Sequence, residues 1–215
     1  MILNRRSIII PEGLPFIAAC GIITLLLAIL TFTISAIILL IVTLFVAYFF
    51  RNPERLTPDR EEAVISPADG KIIKVERVSC ADLLQGEFLK ISIFMNIFNV
   101  HVNRIPYSGV VKRIRYSPGR FISAHLDKAS DLNEHNAILI TTAGGQDILT
   151  VQIAGLIARR IVCWLKEGMS VKKGERFGLI RFGSRLDVYL PLSTVIAVKI
   201  GDIVKAGETV IGELP

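Results

Sequence analysis

Gly168-Met169-Ser170-Val171-Lys172-Lys173-Gly174-Glu175 returns 33 residues later as Gly201-Asp202-Ile203-Val204-Lys205-Ala206-Gly207-Glu208, with Gly, Val, Lys, Gly and Glu at equal offsets. Each copy places glycine where a β-turn needs a positive φ and brackets it with apolar strand residues, the pattern of a lipoyl-type hammerhead hairpin. Two similar hairpins in one barrel account for the repeat; a carrier would present a modifiable lysine at a hairpin tip, and no such unit is evident. Outward from the repeat, short alternating or β-branched runs recur at 71–78, 88–94, 110–116, 137–142, 148–153, 159–165, 177–182 and 194–200, separated by Gly, Pro, Asn and Asp. That spacing predicts a mainly β domain, an antiparallel sandwich or barrel. Residues 123–133, with Ala, Leu, Asp and Lys, are suited to a short helix or an ordered loop.

The first fifty residues follow another rule. Residues 16–50 contain no charged side chain. A straight helix of that length would measure about 52 Å, well beyond a hydrocarbon core of about 30 Å. The polar cluster Thr31-Phe32-Thr33-Ile34-Ser35 splits the run into 16–30 and 36–50. This predicts an N-terminal membrane-inserted helical hairpin, tight or shallow, over residues 1–50, ahead of a domain at 51–215; one tilted helix is the alternative. Arg5 and Arg6 precede the run and Arg51 and Arg55 follow it, so the positive-inside bias puts both flanks, and the domain, on the cytoplasmic side of the cell membrane. Ile17-Ala18-Ala19-Cys20 resembles a lipoprotein cleavage site, but Pro11, Glu12, Gly13 and Pro15 break the segment before it, and the long apolar run lies after the cysteine.

Composition narrows the function. At 52% hydrophobic and 20% charged, the chain is neither disordered nor collagen-like. The net charge of +6 is spread without a run of Lys or Arg, which argues against a nucleic-acid partner and suits membrane lipids of anionic character. Cys20, Cys80 and Cys163 are too far apart for a CxxC site and odd in number, so no disulfide framework is expected. His101, His125 and His135 show no HxxxH or HExxH spacing, so no metal is expected.

The string Arg181-Phe182-Gly183-Ser184-Arg185-Leu186-Asp187-Val188-Tyr189-Leu190-Pro191 is the most informative in the chain. Taken bare, its Gly-Ser is a turn between two strand-like runs. Its companions, in chain order, are Phe49-Phe50-Arg51-Asn52-Pro53, Ser66-Pro67-Ala68-Asp69-Gly70-Lys71, Asn99-Val100-His101-Val102-Asn103-Arg104-Ile105-Pro106, and Asp127-Lys128-Ala129-Ser130 with Asn133-Glu134. The ordered set resembles the phosphatidylserine decarboxylases, in particular their short subfamily with an RFGSR processing site. The resemblance implies a proenzyme that cuts itself between Gly183 and Ser184, leaving 1–183 as a β chain and 184–215 as an α chain held by β pairing. It further implies that Ser184 becomes a pyruvoyl group, the cofactor, which forms a Schiff base with phosphatidylserine and releases CO2 to give phosphatidylethanolamine. No metal is called for.

For roles within that scheme, His101 is the candidate acid/base group: on its strand Asn99, His101 and Asn103 share one face and Val100 and Val102 the other. The resemblance suggests Asp69 as a carboxylate orienting His101, in an Asp-His-Ser logic like that of serine hydrolases. It also suggests Arg104 and Lys128 as contacts to the lipid phosphate. Many longer relatives carry a second histidine where this chain has Arg104, and often an arginine where it has His135. Two other readings are compatible with the residues: a decarboxylase of an archaeal ether-linked serine lipid, and a non-enzymatic membrane adaptor with lipoyl-like hairpins. A homo-oligomer is left open.

Overall fold

The computed structural model describes residues 7–79, 83–119, 133–155, 160–181 and 184–215. The helix or loop expected at 123–133 lies outside them but for Asn133, and so do Lys128 and Gly183. The chain divides into two units, Met1–Glu54 and Arg55–Pro215.

In the first unit, a 3-10 turn at Pro11–Gly13 leads into α1 (Leu14–Ile29), which packs against α2 (Thr33–Phe49). The break between them is shorter than the polar cluster suggested. Thr31 alone takes a left-handed φ of 62°, while Thr33, Ile34 and Ser35 join α2. None of the α1 residues is buried, and α2 buries only Ala36 and Phe49, so both helices are apolar all round and present Leu25, Ile29, Ile41 and Leu44 outward. Thr24 and Thr43 meet across the pair at 3.3 Å, and each hydroxyl also donates to the carbonyl four residues back. Residues Pro11–Ile29 are long and apolar enough to cross a membrane; Thr33–Phe49 is slightly shorter. The Phe49-Phe50-Arg51-Asn52 stretch closes the unit. Phe50 O accepts from Ile10 N–H, and Asn52 donates through its backbone to Ile8 O and through Nδ2 to Ser7 O. A Cβ on Gly13 would lie 2.4 Å from Phe50 Cγ, so only glycine lets that ring close in.

The second unit is mainly antiparallel β. Its strands are β1 (Ala63–Ile65), β2 (Gly70–Ser79), β3 (Glu87–Met95), β4 (Val102–Arg104), β5 (Gly109–Ser117), β6 (His135–Thr141), β7 (Asp147–Ala154), β8 (Ile161–Cys163), β9 (Ser170–Val171), β10 (Arg176–Ile180), β11 (Ser184–Pro191), β12 (Val195–Ile196), β13 (Ile203–Val204) and β14 (Val210–Glu213). Eight form one curled sheet in the order β13-β2-β3-β11-β7-β6-β5-β9; β4-β10-β8 and β1-β14-β12 form two smaller ones. Ile91, Ile93 and Met95 of β3, Leu186, Val188 and Leu190 of β11, and Ile138 and Ile140 of β6 share one core on the inner face.

The repeat folds as its glycines require. Gly168, Gly174, Gly201 and Gly207 all have φ between 80° and 102°. The short strands β9 and β13 arise at the same place in each copy and cap opposite edges of the large sheet. In both copies the second glycine donates to a carbonyl of the body, Gly174 to Ile105 O and Gly207 to Ser66 O. The eight periodic runs of the sequence do not include β11. Its odd positions hold Arg185 and Asp187, both fully buried, which disguises a two-sided interior strand as a polar turn.

Candidate active site

Ser184 is the first residue of β11, fourth of the eight strands, and pairs with Met95 on β3 and Ala154 on β7. The preceding strand, β10, belongs to another sheet, so Ser184 is where the chain enters the large sheet from the smaller one. Ser184 has no exposed surface, and its Oγ donates to the Met95 thioether at 3.4 Å. Sulfur is a weak acceptor, so the hydroxyl is positioned without being strongly bound.

Met95 Sδ also accepts from Asn103 Nδ2 at 3.8 Å. Asn103 Oδ1 in turn accepts from Gln152 Nε2 at 2.9 Å, and Gln152 Oε1 accepts from Asn136 Nδ2 at 3.0 Å. All three amides are 3% exposed or less, and the series runs through the apolar core to Ser184. Beside Asn136 lies Cys163, whose thiol is pushed up by burial, with hydrogen bonding from the Leu165 backbone and the Asn136 side chain pulling the other way. It therefore stays a neutral thiol rather than a nucleophile.

Room for this series comes from Gly178. A Cβ there would lie 2.2 Å from Val162 O on β8 and 3.1 Å from Gln152 Nε2. Gly178→Ala is expected to part β8 from β10 and destabilise the domain by about 1–3 kcal/mol. In thermal unfolding that corresponds to a fall in Tm of about 2–4 °C per kcal/mol. An unchanged Tm would mean that the strands give way freely.

His101 stands immediately before β4 and is 2% exposed. Both faces of its segment are covered, since Val100, Val102 and Asn103 are buried as well; the polar face is interior, not solvent-facing. Nδ1 lies 3.0 Å from Asn99 O. A carbonyl only accepts, so Nδ1 carries the proton and Nε2 holds the basic lone pair of the neutral ring.

Asp69, at the start of β2, accepts from Arg55 Nη2 at 2.9 Å and from the Ala206 backbone N–H at 2.7 Å. The Nδ1 proton of His101 is thus met by the Asn99 carbonyl, while Asp69 fixes the 66–70 turn. Pro67 O in that turn accepts from Arg104 N–H, three residues from His101. Arg104 is 5% exposed and donates from Nη1 to Gly174 O, with its Cδ at the place a Gly207 side chain would occupy, so it lies between the two glycine turns of the repeat.

On the opposite face of β11, Arg185 pairs with Asp187 at 2.9 Å and 3.0 Å, Lys90 on β3 stands 3.7 Å from Asp187, and Glu76 on β2 stands 3.4 Å from Lys90. This set ties the segment after Ser184 to strands before it, and removing one partner from such a buried pair costs about 3–5 kcal/mol. Sequence reasoning quoted Asn103 and Arg185 without giving them roles and passed over Met95, Asn136 and Gln152. No local signal marks these residues, because strand pairing alone turns them inward.

The family model described as phosphatidylserine decarboxylase matches residues 42–212. A curated phosphatidylserine decarboxylase proenzyme of Syntrophus aciditrophicus is 57% identical over 211 residues, covering 98% of this chain and 99% of its own. Proteins of the same name from Desulfotalea psychrophila and Geobacter sulfurreducens are 52% and 48% identical, covering 94% and 99% of this chain and 95% and 99% of their own.

Proposed function

The chain belongs to the phosphatidylserine decarboxylase family, and on that premise we propose that it is a proenzyme which cuts itself at Gly183–Ser184 and then decarboxylates phosphatidylserine to phosphatidylethanolamine. The observation that carries this reading is the burial of Ser184 at the head of a central strand, its hydroxyl resting on a thioether. His101 Nε2 takes the hydroxyl proton as Oγ attacks the carbonyl of residue 183, which turns the peptide bond into an ester and frees the amine of Ser184. Loss of the Ser184 α proton then expels the 183 carboxylate, and water replaces the nitrogen, which leaves as ammonia.

The residues present fit the pyruvoyl group that results. Conversion replaces Oγ with the hydrogen of a methyl group, and the apolar Met95 thioether suits a methyl at least as well as a hydroxyl. Such a group supplies an electron-withdrawing carbonyl that accepts the electron pair released with CO2. Met95 and Asn103 would border it, and His101 would return a proton to the α carbon of the product. Asp69 acts as a positioning residue: it holds the 66–70 turn through Arg55 and Ala206, and that turn holds the strand behind His101. The lipid phosphate is assigned to Arg104 and Lys128; because Arg104 is buried, the headgroup has to enter beneath the Gly174 and Gly207 turns.

The α1–α2 hairpin is assigned to the membrane, with Arg5, Arg6, Arg51 and Arg55 keeping its flanks and the domain on the cytoplasmic side. Relatives named for this enzyme over nearly their whole length give no support to the adaptor or ether-lipid readings. Intact-mass analysis of the purified full chain is expected to give two fragments, of 183 and 32 residues, with the smaller blocked at its N-terminus. They should separate only on denaturation, since β11 pairs along its length with β3 and along most of it with β7. A single mass for the whole chain would refute the reading.

A further inference from the structure

The amides of Asn136, Gln152 and Asn103 are arranged head to tail: the oxygens of Gln152 and Asn103 accept from the neighbour farther from Ser184, and each of the three NH2 groups donates toward it. The series therefore has a polarity. With its oxygen held by Gln152, Asn103 turns its N–H groups toward the Ser184 end of the series, and among the described residues the acceptor they meet there is a thioether at 3.8 Å. Asparagine commonly rotates by half a turn; this one would lose its bond to Gln152 by doing so.

We propose that Asn103 is the hydrogen-bond donor to the oxygen that becomes negative when Ser184 attacks, and that Gln152 and Asn136 are positioning residues that keep it facing that way. The inference rests on the self-processing reading above and names a group within it. Met95 acts as a placeholder. Its sulfur engages both the nucleophile, at 3.4 Å, and the donor, at 3.8 Å, yet binds each weakly. When Oγ adds to the carbonyl, the carbonyl oxygen takes up charge next to Ser184, and the Asn103 N–H exchanges a poor acceptor for an anionic one. Because the stronger bond exists only in the tetrahedral state, it lowers the barrier rather than steadying the starting chain. Burial enlarges the difference, since Ser184 and Asn103 have no surface open to bulk solvent and the local dielectric is low.

The test follows maturation itself, as the rate at which the 184–215 fragment appears on denaturing gels after a pulse of cell-free synthesis of the full chain. Asn103→Ala is expected to slow it by about 10²–10³-fold, the usual effect of losing such a donor. Gln152→Glu is the sharper variant. A carboxylate can only accept, so it draws the NH2 of Asn103 to itself and turns the Asn103 oxygen toward Ser184. It should slow cutting about as much as Asn103→Ala and more than Gln152→Leu, which merely releases the amide. Because a buried carboxylate also costs stability, cutting is compared per folded chain with thermal unfolding read alongside: a purely structural role makes the slowing follow the loss of Tm, whereas the donor role slows cutting in chains that have folded.

The proposal is overturned if folded Asn103→Ala matures normally, or if folded Gln152→Glu is no slower than folded Gln152→Leu. Should Asn103→Ala fail to fold, the Gln152 pair decides the matter. Ser184→Ala run in parallel separates the two levels. If it is cut, the processing reading falls. If it stays whole while the Asn103 and Gln152 variants mature normally, only the donor assignment falls.

Discussion

Ser184→Ala is expected to accumulate as one uncut 215-residue chain with no detectable decarboxylase activity. The loss should be chemical and not a failure to fold. Ser184 is fully buried, and the one partner of its hydroxyl among the described residues is the Met95 sulfur, a bond at the weak end of the range. Removing that oxygen leaves a methyl group against a thioether, a pairing the core accepts readily, so stability should change by less than about 1 kcal/mol. The ladder from Ser184 to Pro191 is made by backbone groups and is untouched. Denaturing gels and intact mass read the first outcome, and thermal unfolding reads the second. Normal cleavage of a folded Ser184→Ala chain would remove the central assignment.

His101→Ala should slow self-cleavage by about 10²–10⁴-fold, the range attributable to a positioned acid or base. The geometry argues for a specific site of action. With Nδ1 committed to Asn99 O at 3.0 Å, proton transfer in the neutral ring falls to Nε2. Decarboxylation should be measured per processed chain, because a slow-cutting variant otherwise looks inactive for the wrong reason. A deficit in both steps would mean that one imidazole serves each of them. Wild-type rates in both would show that another group is the base.

What the residue order disclosed and what it concealed divide along sequence distance. The glycine repeat is local, and each turn carries its own reason for a positive φ, so both hairpins could be read directly. The apolar run and the threonines that interrupt it are local too, though the helices claimed Thr33, Ile34 and Ser35 because one left-handed residue was enough to reverse the chain. The placing of Ser184 and His101 as candidates came from resemblance to a family, not from spacing. Their surroundings come from register. Met95 reaches Ser184 across 89 positions, Gln152 reaches Asn103 across 49, and Asp69 finds the Ala206 amide across 137. Nothing local distinguishes Gln152 from a glutamine facing water. Only the pairing of β7 with β11 and β6 turns it inward.

If the chain cuts itself as proposed, the location of Ser184 on an interior strand also bears on when it can mature. A scissile bond at a surface loop could be cut in a half-folded molecule; here the nucleophile meets its sulfur only after β3 and β7 have closed on either side of β11. Cutting is then a certificate of assembly. The reaction is confined to single molecules, so it needs no activating protease and no threshold concentration, and it cannot be reversed. On that reading, a copy that misassembles its sheet would never acquire the reactive carbonyl.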